Sequence, residues 1–587
     1  MPATTKTTTI ASYAVDLVVA LGADTVFSLT GGMAMHLNRA AARHAGLRSV
    51  YCQHEQACVA AAEGYAQAAD FRRPGFAIVT AGPGVSNTVT SLVSAYGDSV
   101  PLIVLAGQIK AADIDSFGTR THGIQEIRSR EIISPCVKSF ARLEAAGFRE
   151  VLADTLAAAL GGRPGPVFVE IPLDVQGVPV AYAEAEIAAA AAEIKRRVLA
   201  AVGDQAGLVA GLRALLGARR PLVYVGNGCR AAGVEAAVRG FIATHRIPAV
   251  FSWQSFDILA GGDALHFGCP GGLAPIYANE ILCRADVILF LGGRLDLGTT
   301  GFQREAFGPR AARYFVDVDE AELSKFAGFE NTRCIQADLR LLPAAMAEVD
   351  GSSAADAGWL GWCGERRLVA LAEERRRLGS GRMTVYEIAG VISPWSDGLT
   401  IVPASSGYAV ETFLRFFVPG AGTRIFNGAA LGAMGMGLPQ AIGAAFGTAH
   451  RVVGFEADGG LMLNLQELAT VVTYAPAGFV LFILNNRGYE SIRVSQTRFF
   501  NQVSGADEGS GVFIPDFRGI AGAFGLDYVL VEELEALRGL LPALTRERAP
   551  IIVDLIIEQG EPRGPAVRTV MDAEGRPTST PLAEISW

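Results

Sequence analysis

Val452-Val453-Gly454-Phe455-Glu456-Ala457-Asp458-Gly459-Gly460, and further on Val480-Leu481-Phe482-Ile483-Leu484-Asn485-Asn486-Arg487-Gly488-Tyr489, decide the fold. Each is a short apolar, β-branched run stopped by Gly, Asp or Asn, the pattern of a buried strand ending in a turn. The stretch between them, from about 464 to 472, reads as a helix. Strand, helix, strand is one parallel crossover, so Asp458 and Asn486, about 28 residues apart, arrive on the same C-terminal edge of one sheet. That edge is where α/β proteins bind ligands. An Asp-Gly turn and an Asn-Asn turn are each common. On consecutive strand ends they make a pair of hard oxygen donors suited to Mg²⁺ or Ca²⁺, with a phosphate completing the shell. Gly459 and Gly460 let backbone N–H groups approach such a phosphate at a helix start.

The same alternation runs outward along the chain. In the first third, Tyr13–Leu21 has helical spacing, Glu55–Ala69 is an Ala-rich helix, and Thr25–Leu29, Gly75–Thr80, Pro101–Ala106 and Val167–Ile171 read as strands. Residues 177–205 read as a linker passing into a helix. A second unit follows with strands Pro221–Val225, Pro248–Ser252, Val287–Leu291 and Tyr314–Val318, then a linker or surface helix over 350–380. The third unit adds Thr400–Val402 and Ile551–Ile557 to the two strands quoted above. The fold class is α/β, three doubly wound domains with mainly parallel sheets: residues 1–180, 200–350 and 375–560, with 561–587 as a tail.

Composition agrees. Half of the 587 residues are hydrophobic and 19% are charged, which excludes a disordered chain. Gly is 68 of 587, an excess that suits many strand-to-helix turns. The net charge of −9 argues against nucleic acid or an anionic membrane as partner. The eight Cys show no CxxC or metal-finger spacing, so a reducing, cytoplasmic compartment is expected. No apolar run approaches the ~20 residues that span a bilayer.

Ala457-Asp458-Gly459-Gly460 with Asn485-Asn486 resembles the signature of thiamine-diphosphate enzymes, and the resemblance covers nearly the whole chain. The first domain contributes Leu29-Thr30-Gly31-Gly32, His54-Glu55-Gln56, Ala62-Glu63-Gly64-Tyr65-Ala66, Gly82-Pro83-Gly84, Gly123-Ile124-Gln125-Glu126 and a closing 165–174 segment. The third adds Gly432-Ala433-Met434-Gly435-Met436-Gly437-Leu438-Pro439. The set resembles the acetolactate-synthase-like branch.

The resemblance implies roles. Glu55 matches the glutamate that hydrogen-bonds N1′ of the aminopyrimidine, where a carboxylate favours the tautomer that takes a proton from thiazolium C2. Asp458, Asn486 and the Gly488 carbonyl match the Mg²⁺ ligands, with Gly459, Gly460 and Tyr489 beside them. Ser405, Ser406 and Gly407 match the diphosphate loop. Gly432 and Met434 match the pyrimidine-edge contacts and the apolar prop that bends the cofactor. Ala457 stands where Gly is usual, a departure beside the metal-binding Asp. Gln125 and His122 fall in the loop that faces the reacting centre. His54 and Cys52 read as packing and hydrogen-bonding neighbours, while His36, in Met33-Ala34-Met35-His36-Leu37-Asn38, resembles a motif of this branch and reads equally as structural. In the middle domain, Gly226, Gly228, Arg294, Asp317 and Asp338 match an FAD site, while Asn227 and Gly298 depart from its pattern.

The implied activity is a carboligase that decarboxylates pyruvate or a related 2-oxo acid and passes the acyl-anion equivalent to a second carbonyl of a 2-oxo acid, a simple ketone or a keto-sugar. A 2-oxo acid decarboxylase or dione C–C hydrolase, favoured by His122, is the alternative within catalysis. A catalytically silent subunit of the same fold is the alternative outside it. The family's site is shared between two chains, so the expected partner is a second copy, in a homodimer packed into a tetramer.

Overall fold

A computed structural model describes residues 6–114, 118–349, 351, 355–571 and 575–587. Three parallel sheets carry the chain. In the first, the spatial order is Arg48–Tyr51, Thr25–Ser28, Gly75–Val79, Leu102–Gln108, Pro166–Pro172, Ser139–Arg142. The middle sheet runs Ala249–Phe251, Pro221–Val225, Val287–Leu291, Ala312–Asp317, Thr332–Gln336. The third runs Arg424–Ile425, Leu399–Val402, Arg451–Ala457, Val480–Asn485, Ile551–Ile556, Asp527–Val531. Central strands are buried on both faces, Pro166–Pro172 and Val480–Asn485 along their whole length, which is why they read as continuous apolar runs.

Five strands of these sheets escape the sequence reading: Arg48–Tyr51, Ser139–Arg142, Thr332–Gln336, Arg424–Ile425 and Asp527–Val531. All five lie at sheet edges. Four are only partly buried and the fifth has two residues. An edge strand needs only one paired side and one covered face, so its apolar signal is diluted.

The stretch after 177, read as a linker passing into a helix, holds that helix, Glu184–Leu199, and before it a strand the reading lacks, Pro179–Tyr182, antiparallel to Lys6–Thr9. The 350–380 segment is mostly the helix Trp359–Leu378; 350 and 352–354 lie outside the described residues. The helix read over 464–472 is present as the 3₁₀ turn Leu465–Glu467 running into Leu468–Tyr474, and a short helix absent from that reading, Asp458–Leu461, follows the strand directly. The tail returns to the middle domain, where Leu582 and Ile585 join its core. Residues 572–574 of that tail lie outside the described residues. No helix among the described residues is long and apolar enough to cross a membrane.

The first and third domains meet through two helices, Glu55–Ala68 and Gly437–Gly447. Small residues set the distance. A Cβ on Gly443 would lie 1.7 Å from the Ala61 carbonyl oxygen, and one on Gly64 would lie 2.1 Å from that of Gln440. Backbones this close lock the domains that carry Glu55 and Asp458 into one body.

Candidate functional site

The strand Arg451–Ala457 delivers Asp458, fully buried, to the C-terminal edge of the third sheet. Its Oδ1 accepts the Gly459 N–H at 2.6 Å and its Oδ2 the Gly488 N–H at 3.0 Å. Burial pushes the carboxyl up to about 6 against the pull of the Gly488 and Gly459 amides. The neighbouring strand delivers the two asparagines, and the structure separates their duties. Asn485 donates from Nδ2 to Asp554 Oδ1 at 3.0 Å, a bond inside the sheet. Asn486 keeps a buried Oδ1 with no hydrogen-bond partner. An orphaned oxygen beside a buried carboxylate is costly unless something electropositive binds it, and the hard-donor pair fits Mg²⁺.

The turn is built around that pair. Gly488 has φ +144°, and a Cβ there would lie 2.2 Å from the Ala506 carbonyl oxygen. A Cβ on Gly459 would lie 2.1 Å from the Tyr489 ring, so this ring packs directly on the Asp-Gly-Gly turn. Gly460 approaches Glu456, whose Oε1 would be 2.4 Å from a Cβ there. Ala457, the departure from the family pattern, is accommodated as the last residue of the strand with ordinary extended backbone.

The loop after strand Arg424–Ile425 carries Gly432 at φ +64° and Gly435 at φ +78°. Met434 between them is 37% exposed. Ser405 is buried; its hydroxyl donates to Gln440 Oε1 at 3.1 Å and accepts the Gly428 N–H at 3.3 Å. Ser406 precedes the helix Gly407–Phe416 in extended conformation, and Gly407 has φ +84°.

Glu55 starts the helix Glu55–Ala68, capped by His54, and its buried Oε2 accepts from Asn87 Nδ2 at 3.0 Å. Gly84 lies beside Oε1, which a Cβ would meet at an ordinary 3.8 Å. Gln125 sits against the same turn, with its Cα 2.9 Å from where a Gly82 Cβ would be, and it has φ +67°. The structure therefore gathers Glu55, the 82–84 turn and Gln125. His122 is exposed on this loop, its backbone N–H and that of Gly123 held by Glu126 Oε2. His36 Nε2 lies beside Gly177, and Cys52 is buried in the core, so both behave as packing residues.

In the middle domain, Gly228, Arg294, Asp317 and Asp338 line a cavity of about 1450 Å³. Gly226 packs instead on the neighbouring turn, where a Cβ would lie 2.1 Å from the Gly292 carbonyl oxygen. Asp317 is pushed up to about 6 by burial and accepts the Asp319 N–H at 2.9 Å. Arg340 clamps Asp338. Arg294 donates to the Gly97 carbonyl at 2.7 Å and to Asp98 at 3.3 Å. Asn227 Oδ1 and Gln254 Oε1, on the cavity wall, are buried without a partner, and only Asp296 Oδ1 lies within 4 Å of where a Gly298 Cβ would be.

Several residues that shape the site were not visible in the sequence. Glu456 Oε2 accepts the Gly437 N–H at 2.9 Å, tying the Asp-Gly-Gly turn to the start of the helix Gly437–Gly447. Asn464 Nδ2 donates to the Gly435 carbonyl at 2.8 Å. Arg493 donates to the Asn486 carbonyl at 3.0 Å and pairs with Glu490, while Gln559 Nε2 reaches the same carbonyl at 2.8 Å. Glu456, Asn464 and Arg493 lie close in sequence to the Asp-Gly-Gly and Asn-Asn turns, whereas Gln559 is 73 residues from Asn486; all four act on main-chain groups, which leave no motif.

Three family models match in the order of the three sheets: the thiamine pyrophosphate enzyme N-terminal TPP binding domain over residues 8–132, the central domain over 210–342, and the C-terminal TPP binding domain over 406–555. A probable chloroplastic acetolactate synthase 2 of Oryza sativa subsp. japonica is 29% identical over 590 residues, covering 96% of this chain and 86% of that protein. The acetolactate synthase large subunit of Parasynechococcus marenigrum (strain WH8102) is also 29% identical, over 96% of this chain and 90% of its own length. The three matched domains, in register with the buried Asp458–Asn486 pair and with Glu55, show that this chain belongs to the thiamine pyrophosphate enzymes and is acetolactate-synthase-like.

Proposed function

We propose that the chain joins two small carbonyl compounds, decarboxylating pyruvate or a related 2-oxo acid and transferring the two-carbon or larger acyl unit to a second carbonyl. Thiamine diphosphate supplies, when bound, the electron sink that makes a carbonyl carbon nucleophilic. The observation that carries the reading is the partnerless Asn486 Oδ1 next to Asp458, with Gly488 completing the turn. In this reading Asp458, Asn486 and the Gly488 carbonyl hold Mg²⁺ on the diphosphate, Ser406, Gly407, Gly459 and Gly460 line its path, and Tyr489 stiffens the turn. Gly432 and Met434 take the pyrimidine edge. Glu55, oriented by Asn87, holds the proton relay at pyrimidine N1′. Gln125 and His122 lie on the loop that meets substrate.

The site is shared between two copies. Support comes from the apolar side chains left open at both halves: Met434, Leu431 and Leu463 around one, and Ile124, 88% exposed, next to Gln125 at the other. A homodimer, paired into a tetramer, covers them. FAD suits the middle cavity, with Asp317 placed for a ribose and Asn227 Oδ1 for a polar edge. A reducing, cytoplasmic location is consistent with eight free cysteines.

Product analysis tests the activity. With Mg²⁺, thiamine diphosphate and labelled pyruvate, alone and with added ketones, the expected result is a new C–C bond and one CO₂ per product. Release of CO₂ with free aldehyde alone would make the chain a decarboxylase, and cleavage of a dione without CO₂ would make it a hydrolase.

A further inference from the structure

Asp98 occupies a costly place. It caps the C-terminus of the helix Val89–Gly97, where the helix dipole disfavours a negative charge, and it is buried. Burial pushes its carboxyl up, and its charge in turn helps to push up the fully buried Glu63. A carboxylate is kept there only if its partners need it. Those partners come from two other domains. Arg294 of the middle domain reaches Asp98 Oδ1 at 3.3 Å and the Gly97 carbonyl at 2.7 Å. Ala430 of the third domain donates its N–H to Asp98 Oδ2 at 3.2 Å.

The contact is close. A Cβ on Gly97 would lie 2.6 Å from the Ala430 Cβ, and one on Gly428 would lie 2.8 Å from Ser94 Oγ on the same helix. Gln254 of the middle domain adds a second hold on this loop, donating Nε2 to the Asn427 carbonyl at 2.6 Å. Two residues beyond Ala430 the loop turns at Gly432 and presents Met434. Ala429 and Ala430 also form part of the wall of the middle-domain cavity.

We infer that Asp98 is a positioning residue for the cofactor: by holding Arg294 with one oxygen and the Ala430 N–H with the other, it fixes the Asn427–Met434 segment against the middle domain. The inference rests on the reading of Gly432 and Met434 as the pyrimidine-edge contacts. Asp98 lies outside the residues read as cofactor or substrate contacts. It sets where Met434 stands, and with it the bend that brings the two cofactor rings together.

The test uses full-length Asp98→Asn, Arg294→Met and their double variant. Each is read by thiamine-diphosphate affinity at saturating Mg²⁺, by hydrogen–deuterium exchange at C2 of the bound cofactor, and by the melting temperature without cofactor. Each single change is expected to weaken cofactor binding about tenfold, the scale of one lost charged hydrogen bond, and to slow C2 exchange even when the cofactor is saturating. The double variant should lose no more than the larger single loss, because both act through one link. A purely structural role would lower the melting temperature while leaving affinity and exchange as in the wild type. That result, or additive losses, overturns the inference. If Asp98→Asn does not fold, Gln254→Leu loosens the same segment from its other side and is read in the same way: slowed exchange supports the inference, and unchanged exchange overturns it. Asp458→Ala is the control that separates failures. If that variant binds the cofactor tightly, the site reading itself falls, whatever Asp98 does.

Discussion

The C-terminal edges of the third and middle sheets are built alike and used differently. Both are parallel-strand edges ending in Gly-rich turns. At the third, Asp458, Gly459, Gly488 and Tyr489 close on one another and leave Asn486 Oδ1 buried without a partner. At the middle edge the strands open onto about 1450 Å³, and its charged residues are engaged with protein: Arg340 with Asp338, Arg294 with Asp98 and Gly97. A tight turn of hard oxygen donors suits a small hard cation. A roomy cavity whose arginines are bonded to protein suits a large ligand held chiefly by shape.

The contrast can be broken most sharply at its tight end. Asp458→Ala removes one hard ligand and exposes the Gly488 N–H, so Mg²⁺-dependent binding of thiamine diphosphate should vanish in calorimetry. Tight binding would mean that the Asp458–Asn486 pair is a turn and nothing more. Next in size is complementation. Inactive Glu55→Gln and Asp458→Ala chains, mixed and shown to form hybrids, should regain a fraction of wild-type turnover from the one intact site. Hybrids with no activity would place both halves of the site in one chain.

A smaller effect is expected at the roomy end. The protein should purify yellow, and Asp317→Ala should lower flavin content without lowering thiamine-diphosphate affinity more than a few-fold. A colourless, active protein that gains no flavin on reconstitution would remove FAD from the cavity.

The smallest effect is on stability. Glu63, fully buried, is pushed up to about 8 by burial, with Asp98 adding to the shift. In the unfolded chain the group ionises near its ordinary value, so between about pH 4.5 and 8 the folded state holds a proton that the unfolded state has released. The wild type therefore loses stability across that window as pH rises, and Glu63→Gln does not. Melting temperatures of the two apoproteins should diverge in favour of the variant from pH 5 to pH 8. Parallel curves would contradict the buried, protonated carboxyl.

The comparison also explains what the sequence could show. The tight edge was legible because its determinants are local: an apolar run, Asp-Gly-Gly, one crossover, a second apolar run, Asn-Asn. Even there, the division of labour between Asn485 and Asn486 depended on Asp554, a strand away, and the supports Glu456, Arg493 and Gln559 act on main-chain groups that leave no motif. The roomy edge was less legible because its walls come from all three domains: Arg294, matched to a flavin contact, lines the cavity and also bonds Asp98 of the first domain, which no local motif announces. The fold was read from buried central strands, and the five strands that escaped are edge strands with partial burial or minimal length.

The central claim is that Glu55 activates the cofactor that Asp458 and Asn486 anchor. Glu55→Gln preserves size and the Asn87 contact but cannot serve as a carboxylate at N1′. Binding, dominated by the metal–diphosphate contacts, should fall only modestly. Hydrogen–deuterium exchange at C2 of the bound cofactor should slow by about 10²-fold or more, the scale of an acid–base contribution. Exchange at the wild-type rate in a fully loaded Glu55→Gln protein would take Glu55 out of the chemistry.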